Sequence, residues 1–313
     1  MGGSDTGVSD LPECDRLTLL SRAAFATLAQ LKRTANGTFM RVIGLCRFSY
    51  PAIGGFKRMH DSVEEREAYL FSPERMALRF RHFETLTLPS IAAQKDKRFT
   101  FLVVTGERMP KPYWDRLNDI CAPVPEIKVV TAPPAKHRTA MQDVILRELG
   151  NEELESLQFR LDDDDAVGAN FVRSIRRTAR LAWKLRADWQ NLVIEFSRGY
   201  SVKLTPDGIL AQEIQGQFLA CGLAVLFRPG DTQTVMNFAH HKLHHTMPTI
   251  IDPTTPMYLR AVHDDNDSRA RGKDTGLKPL TDKDRAFFKA RFNVDEAAVQ
   301  AAFGAPTALR GKA

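Results

Sequence analysis

The chain holds 313 residues, with 44 Lys and Arg against 38 Asp and Glu for a net charge of +6, and 43% of it is hydrophobic. At ~150 residues per domain this is one large domain or two, with enough apolar content to bury a core, which excludes disorder over most of its length. No apolar run approaches the ~18 residues of a membrane-spanning helix, and four scattered cysteines without a CxxC pair exclude a disulfide scaffold and a thiolate zinc site, fitting a reducing, cytoplasmic setting.

Residues 1–37 read as a flexible or helical extension, with apolar residues at helical spacing over 17–33 but no secretory signal pattern. Residues 39–46 are a short β-branched apolar run, expected as a buried strand. Residues 73–94 place Met76, Phe80, Phe83, Leu86 and Ile91 at helical steps, with Pro73 suited to a first turn and Pro89 expected to kink or divide the helix. Further buried strands are predicted over 99–105, 127–130 and 157–161, with helices over 112–121 and 139–149 between them. This alternation predicts an α/β fold, a mostly parallel central sheet flanked by helices, with ligands beyond the carboxyl ends of its strands.

The second half reads as mixed. A helix is predicted over 170–189, carrying a basic stripe of Arg173, Arg177, Arg180 and Lys184. Strands follow over 192–196 and 200–204 around a turn at Arg198-Gly199, then a turn at Thr205-Pro-Asp-Gly and strand material over 217–227. Residues 293–313 read as an Ala-rich peripheral tail.

Asp162-Asp163-Asp164-Asp165 follows the fourth predicted strand. Four successive carboxylates raise one another's pKa unless a cation neutralises them. In extended geometry Asp162 and Asp164 point to one side, Asp163 and Asp165 to the other. Such an oxygen-rich pair in a cleft suits Mg²⁺ or Mn²⁺, which bind substrate phosphates, whereas the competing reading is a solvated acidic turn. His240-His241-Lys-Leu-His244-His245 sets two pairs at i, i+4, a spacing that can ligate metal, although no HExxH Glu accompanies them. His263-Asp264-Asp265-Asn266-Asp267 is a second block dense in groups suited to a cleft. No Gly-rich phosphate loop occurs, which weakens Walker and dinucleotide-fold readings.

Phe159-Arg-Leu-Asp-Asp-Asp-Asp-Ala resembles the DxD segment of GT-A glycosyltransferases. More narrowly, Gly44-Leu-Cys-Arg-Phe-Ser-Tyr-Pro, the acid run, Val235-Met-Asn-Phe-Ala-His-His-Lys-Leu and Asn266-Asp-Ser-Arg together resemble the bacterial rhamnosyltransferase family, over roughly residues 40–270. The resemblance implies one GT-A-like domain over 38–292, with a nucleotide-binding half (38–168) and an acceptor half (169–292). It implies transfer of a sugar, rhamnose by the family's name, from a nucleotide-sugar donor to a saccharide or lipid-linked glycan acceptor. Against the common Leu-Asp-x-Asp-Asp form, Asp162 and Asp164 match as metal ligands with Asp165 as third partner, and the unbroken run leaves Asp163 open as well. A further ligand is expected from His240, His241 or His263. Asp264 and Asp265 are the candidates for the base that takes the acceptor hydroxyl's proton. Arg47, Arg138 and Arg160 are the diphosphate candidates, since a guanidinium meets phosphate oxygens bidentately. Tyr50 or Phe48 is placed to stack on the base, core packing being the other reading of Phe48. The basic stripe on 170–189 suits a solvated helix face or peripheral contact with anionic lipid at the inner membrane face, and lacks the aromatic interleaving of a nucleic-acid surface. A metal-dependent hydrolase using the Asp run and His pairs, and a non-catalytic metal binder, are the competing functions.

Overall fold

A computed structural model describes residues 40–54, 60–151, 154–184, 191–263 and 276–305. In chain order its strands are β1 (Arg41–Arg47), β2 (Thr100–Gly106), β3 (Ile127–Ala132), β4 (Ser156–Arg160), β5 (Ala166–Val167), β6 (Leu192–Phe196), β7 (Arg198–Thr205), β8 (Gly208–Gln215), β9 (Leu223–Phe227), β10 (Thr249–Asp252), β11 (Tyr258–Ala261) and β12 (Lys278–Pro279). Its helices are α1 (Val63–Leu70), α2 (Pro73–His82), α3 (Leu88–Ala92), α4 (Lys111–Cys121), α5 (His137–Leu149), α6 (Phe171–Leu181), α7 (Asp282–Phe292) and α8 (Glu296–Gly304).

Seven strands form the main sheet in the order β10-β6-β9-β4-β1-β2-β3. β4, β1, β2 and β3 run parallel, and β9 alone opposes its two neighbours. The predicted mostly parallel sheet with a mixed second half is therefore present. β1 lies inside the sheet between β4 and β2 and buries both faces, as parallel strands covered by helices must. Ile43 and Leu45 join one core with Leu102, Val104 and Val193, while Val42 and Cys46 join the other with Phe101, Val103 and Phe159. Between them, a Cβ on Gly44 would stand 2.3 Å from the Phe159 ring and 2.5 Å from that of Phe101, so only glycine lets the two rings close over the strand.

A second sheet, β12-β8-β7-β11-β5, packs its core of Val202, Leu204, Ile209, Leu259, Phe288 and Phe292 beneath α7 and α8. The β7–β8 hairpin closes between Thr205 and Gly208, the turn expected there. The turn expected at Arg198-Gly199 is absent. Both residues lie inside β7, because the chain passes at Ser197 from the first sheet into the second. Gly199 is a close-approach residue, since its Cβ would meet the Tyr258 carbonyl and ring at 2.4 Å.

The helix predicted over 73–94 divides ahead of Pro89 as expected. α2 widens into a π-helical turn, Phe83–Thr87, whose cap Leu88 N–H bonds Phe83 O, and α3 continues from it. A wider turn absorbs the backbone bond that a proline nitrogen cannot make. The helix begun at residue 171 ends at Leu181, short of the expected 189, and residues 185–190 lie outside the described residues. The expected peripheral tail instead contributes α8, with Val294 and Val299 fully buried, because Glu296 accepts the Ile209 amide at 2.9 Å and ties this helix to β8. The expected extension, residues 1–37, lies outside the described residues. No helix among the described residues is long and apolar enough to cross a membrane.

Candidate active site

Beyond the carboxyl ends of β1 and β4 lies a cavity of about 220 Å³, with Arg47, Tyr50, residues 162–165, His240 and Arg260 on its walls. The acid run is a tight turn rather than an extended segment. Leu161 N–H still bonds Leu45 O at 3.0 Å, then Asp165 N–H donates to Asp162 O at 3.1 Å and Thr87 Oγ1 donates to Asp165 O at 2.8 Å. The expected two-sided alternation gives way to four separate environments. Asp162 has a side chain 45% exposed and accepts Arg47 Nη2 at 3.1 Å. Asp163 is 1% exposed and pairs with the Arg79 guanidinium, whose Nε donates to Oδ2 at 2.9 Å. Asp164 Oδ2 accepts Arg79 Nη1 at 3.2 Å and meets His263 Nε2 at 2.9 Å. Asp165 Oδ1 accepts the Ala261 amide at 3.1 Å.

These environments separate the carboxyl groups chemically. Burial alone would raise Asp164, but Arg79 and then His263 hold it far below the usual range. Burial raises Asp165 well above that range, and the charges of Asp164 and Asp162 add to it. Arg79 thus supplies to Asp163 and Asp164 the cation that the crowded run requires.

A second group gathers beside Asp162. Arg47 ends β1, Arg160 ends β4, and His137 and the exposed Arg138 open α5. Burial lowers Arg160 to about 10, with Arg47 and Arg138 adding to the effect and Asp162 opposing it. Burial lowers His137 to about 4, reinforced by Arg47, Arg138 and Arg160. Arg160 Nε is buried with no hydrogen-bond partner among the described residues. The result is a concentration of positive charge beside the acid turn that holds one buried guanidinium donor without a hydrogen-bond partner among the described residues.

Tyr50 is 3% exposed, and its hydroxyl donates to Pro133 O at 2.5 Å and accepts the Ala135 amide at 3.1 Å, clasping the loops after β1 and β3. Phe48 is fully buried between Phe80 and Phe83, at centroid distances of 4.9 and 5.3 Å, so its core reading holds and it does not stack on a base. His240–His245 is a 3₁₀ helix, in which residues four apart no longer share a face, so the expected paired spacing dissolves. His240 lines the cavity and bonds Phe218 O through Nδ1. His241 is exposed and lies off the cavity wall. His263 alone of the three touches the acid turn. Asp264 and Asp265 lie outside the described residues.

Four cavity arginines escaped the sequence reading: Arg66 on α1, Arg75 and Arg79 on α2, and Arg260 on β11. A signal existed for two of them. Arg75 and Arg79 stand at i, i+4 beside the apolar Met76 and Phe80, at the margin of the face that α2 turns to the sheet.

Among the described residues no three His, Cys, Asp or Glu side chains converge to cage an ion. A cation shared with a substrate phosphate needs only one or two protein carboxylates. Asp162 and Asp164, both on the cavity wall, are two such carboxylates, and hard oxygen donors of this kind suit Mg²⁺ or Mn²⁺; His263 Nε2 stands 2.9 Å from Asp164. Asp163 and Asp165 add little to that pair, the first being committed to Arg79 and the second driven towards its protonated form.

A family model described as "Putative rhamnosyl transferase" matches residues 41–274, about three-quarters of the chain. The chain belongs to this family. The matched span agrees with the resemblance read over roughly residues 40–270. A search of the curated proteins found no match. Solved structures that match in part include S. aureus TarS (11% identity, TM-score 0.38, covering 71% of this chain and 37% of that one). TarS 1–349 in complex with UDP-GlcNAc matches at 12% identity and TM-score 0.39, over 73% of this chain and 60% of that one. The mannosyltransferase PcManGT from Pyrobaculum calidifontis, in complex with GDP-Man and Mn²⁺, matches at 14% identity and TM-score 0.36, over 80% and 69%. This chain thus spans a little over a third of TarS and 60% of its 1–349 fragment.

Proposed function

We propose that this protein is a glycosyltransferase that draws its sugar from a nucleoside-diphosphate donor and passes it to a hydroxyl of a saccharide or lipid-linked glycan, rhamnose being the sugar to which the family description points. The observation that carries this reading is the cluster of Arg47, Arg138 and Arg160 beside the acid turn, with Arg160 Nε unmet. A diphosphate relieves the mutual repulsion of these cations and satisfies that donor, through two-pronged guanidinium contacts. Because the donors are already ordered, they meet the charge that develops on the leaving group without reorganising. Tyr50, held by its hydroxyl, lines the same cavity and is the candidate neighbour of the base.

Asp162, Asp164 and His263 would hold a divalent cation, which when bound offsets negative charge on the departing diphosphate. Transfer breaks the anomeric C–O bond to phosphate and forms one to the acceptor oxygen, through an oxocarbenium-like centre. The acceptor proton passes to a carboxylate, a part given to Asp264 or Asp265, which follow His263 directly in the chain.

A thermal-shift panel of nucleotide sugars, with and without Mn²⁺, tests this. One donor is expected to stabilise the protein, by ~2.7 kcal/mol at a hundredfold excess over its Kd, more strongly with the metal. Mixing that donor with acceptor glycans should then yield a transfer product. Absence of stabilisation by every donor would remove the reading.

A further inference from the structure

The outer side of α6 and the turn after it carry a surface that the reaction does not use. Arg173, Arg177, Arg180 and Lys184 are exposed there, and the exposed positions of 171–184 include no acid. None of these four cations forms an ion pair with a described residue. Among them Leu181 is 68% exposed and Trp183 44%, two of the four large hydrophobic side chains that protrude from the described residues. Lys184 Nζ stands 5.7 Å from the Trp183 ring centroid.

The helix cannot roll to hide these side chains. Phe171, Val172, Ile175 and Ala179 are buried on its inner side, and Arg176 pins it. Arg176 Nε bonds Asp96 at 2.9 Å, and its other nitrogens donate to Met40 O at 2.5 Å and Arg98 O at 2.6 Å. Met40 and Arg98 lie at the entry ends of β1 and β2, whereas the acid turn lies at the exit end of β4. None of the patch residues lines the cavity, so changing them leaves its wall intact.

We infer that this face docks on a bilayer surface containing anionic lipid. The four cations complement a layer of phosphate headgroups. An indole suits the boundary between headgroups and acyl chains, a leucine reaches below it, and long basic side chains extend back to the charged layer. A single-stranded nucleic acid would need successive aromatic platforms, and the patch exposes a single ring, that of Trp183, beside an aliphatic Leu181. The inference stands apart from the donor reading, since it involves no cavity residue.

Co-sedimentation of the full chain with phosphatidylcholine vesicles, with and without phosphatidylglycerol, is the test. Binding is expected only to the anionic vesicles, weakening as salt is added. Each basic residue lost should weaken it about fivefold, so Arg177→Glu with Arg180→Glu should reduce it by more than about tenfold. Leu181→Ser with Trp183→Ser should weaken it further at fixed charge. Should the charge-reversed variant lose its melting transition, the unmodified protein still decides, because binding insensitive to salt overturns the inference. No binding to anionic vesicles overturns it too. So does competition by single-stranded DNA that is indifferent to Leu181→Ser and Trp183→Ser, which would mark a nucleic-acid surface instead.

Discussion

Arg79 holds two of the four acids, with Asp163 only 1% exposed against it. Removing one partner of a buried ion pair strands the other, at a cost of roughly 3–5 kcal/mol. Arg79→Ala is therefore expected to lower the urea midpoint by that scale, and adding Asp163→Asn should recover part of it. Arg160 should behave in the opposite sense. Burial lowers it to about 10, so its charged form is held at a cost while no anion is present. Arg160→Met should leave the melting temperature of the free protein unchanged or higher, yet weaken donor binding by about ten- to a hundredfold, as read by donor titration. That Arg160 stands beside the acid turn was legible in its place at a strand end. The role of Arg79 was not, because 84 residues separate it from Asp163.

Among the elements, β1 and β2 were readable because each is a nearly continuous apolar run buried on both faces, a pattern that needs no knowledge of neighbours, while the half-exposed β3 was read from its β-branched Ile127, Val129 and Val130. The short strands β5, β10, β11 and β12 have only two to four residues, and they are strands because partners exist beside them. The same limit explains the misread Arg198-Gly199, since a glycine that makes a turn and one that makes room look alike in sequence. Gly199 can be tested directly. A Cβ there meets a backbone carbonyl at 2.4 Å, which cannot swing aside as a side chain would. Gly199→Ala should cost at least ~1–3 kcal/mol, seen as a lower melting temperature with the β7–β11 pairing loosened in hydrogen exchange.

For the molecule as a whole, acid is the weak side. His82 is 2% exposed, and burial, with His263 beside it, lowers it to about 4; His137 is likewise lowered to about 4. The unfolded chain therefore binds protons first, and stability should fall as pH drops from ~6.5 towards ~4, by up to ~3 kcal/mol for His82 alone. The depressed Asp164 adds to this loss at the lower end, while the raised Asp165 acts in reverse, its contribution fading as pH rises. Urea titrations between about pH 7 and pH 5 should show a falling midpoint, and a flat profile would contradict the buried neutral histidines. The amino-acid order alone carries the parallel strands, the acid run at a strand end, three of the arginines beside that run and the family, because periodicity and adjacency are local properties. Which acid meets which cation is a matter of packing. Arg47 reaches Asp162 across 115 residues and His263 reaches Asp164 across 99, and no local rule sets contacts that arise only when α2 and the end of β11 close over the same turn.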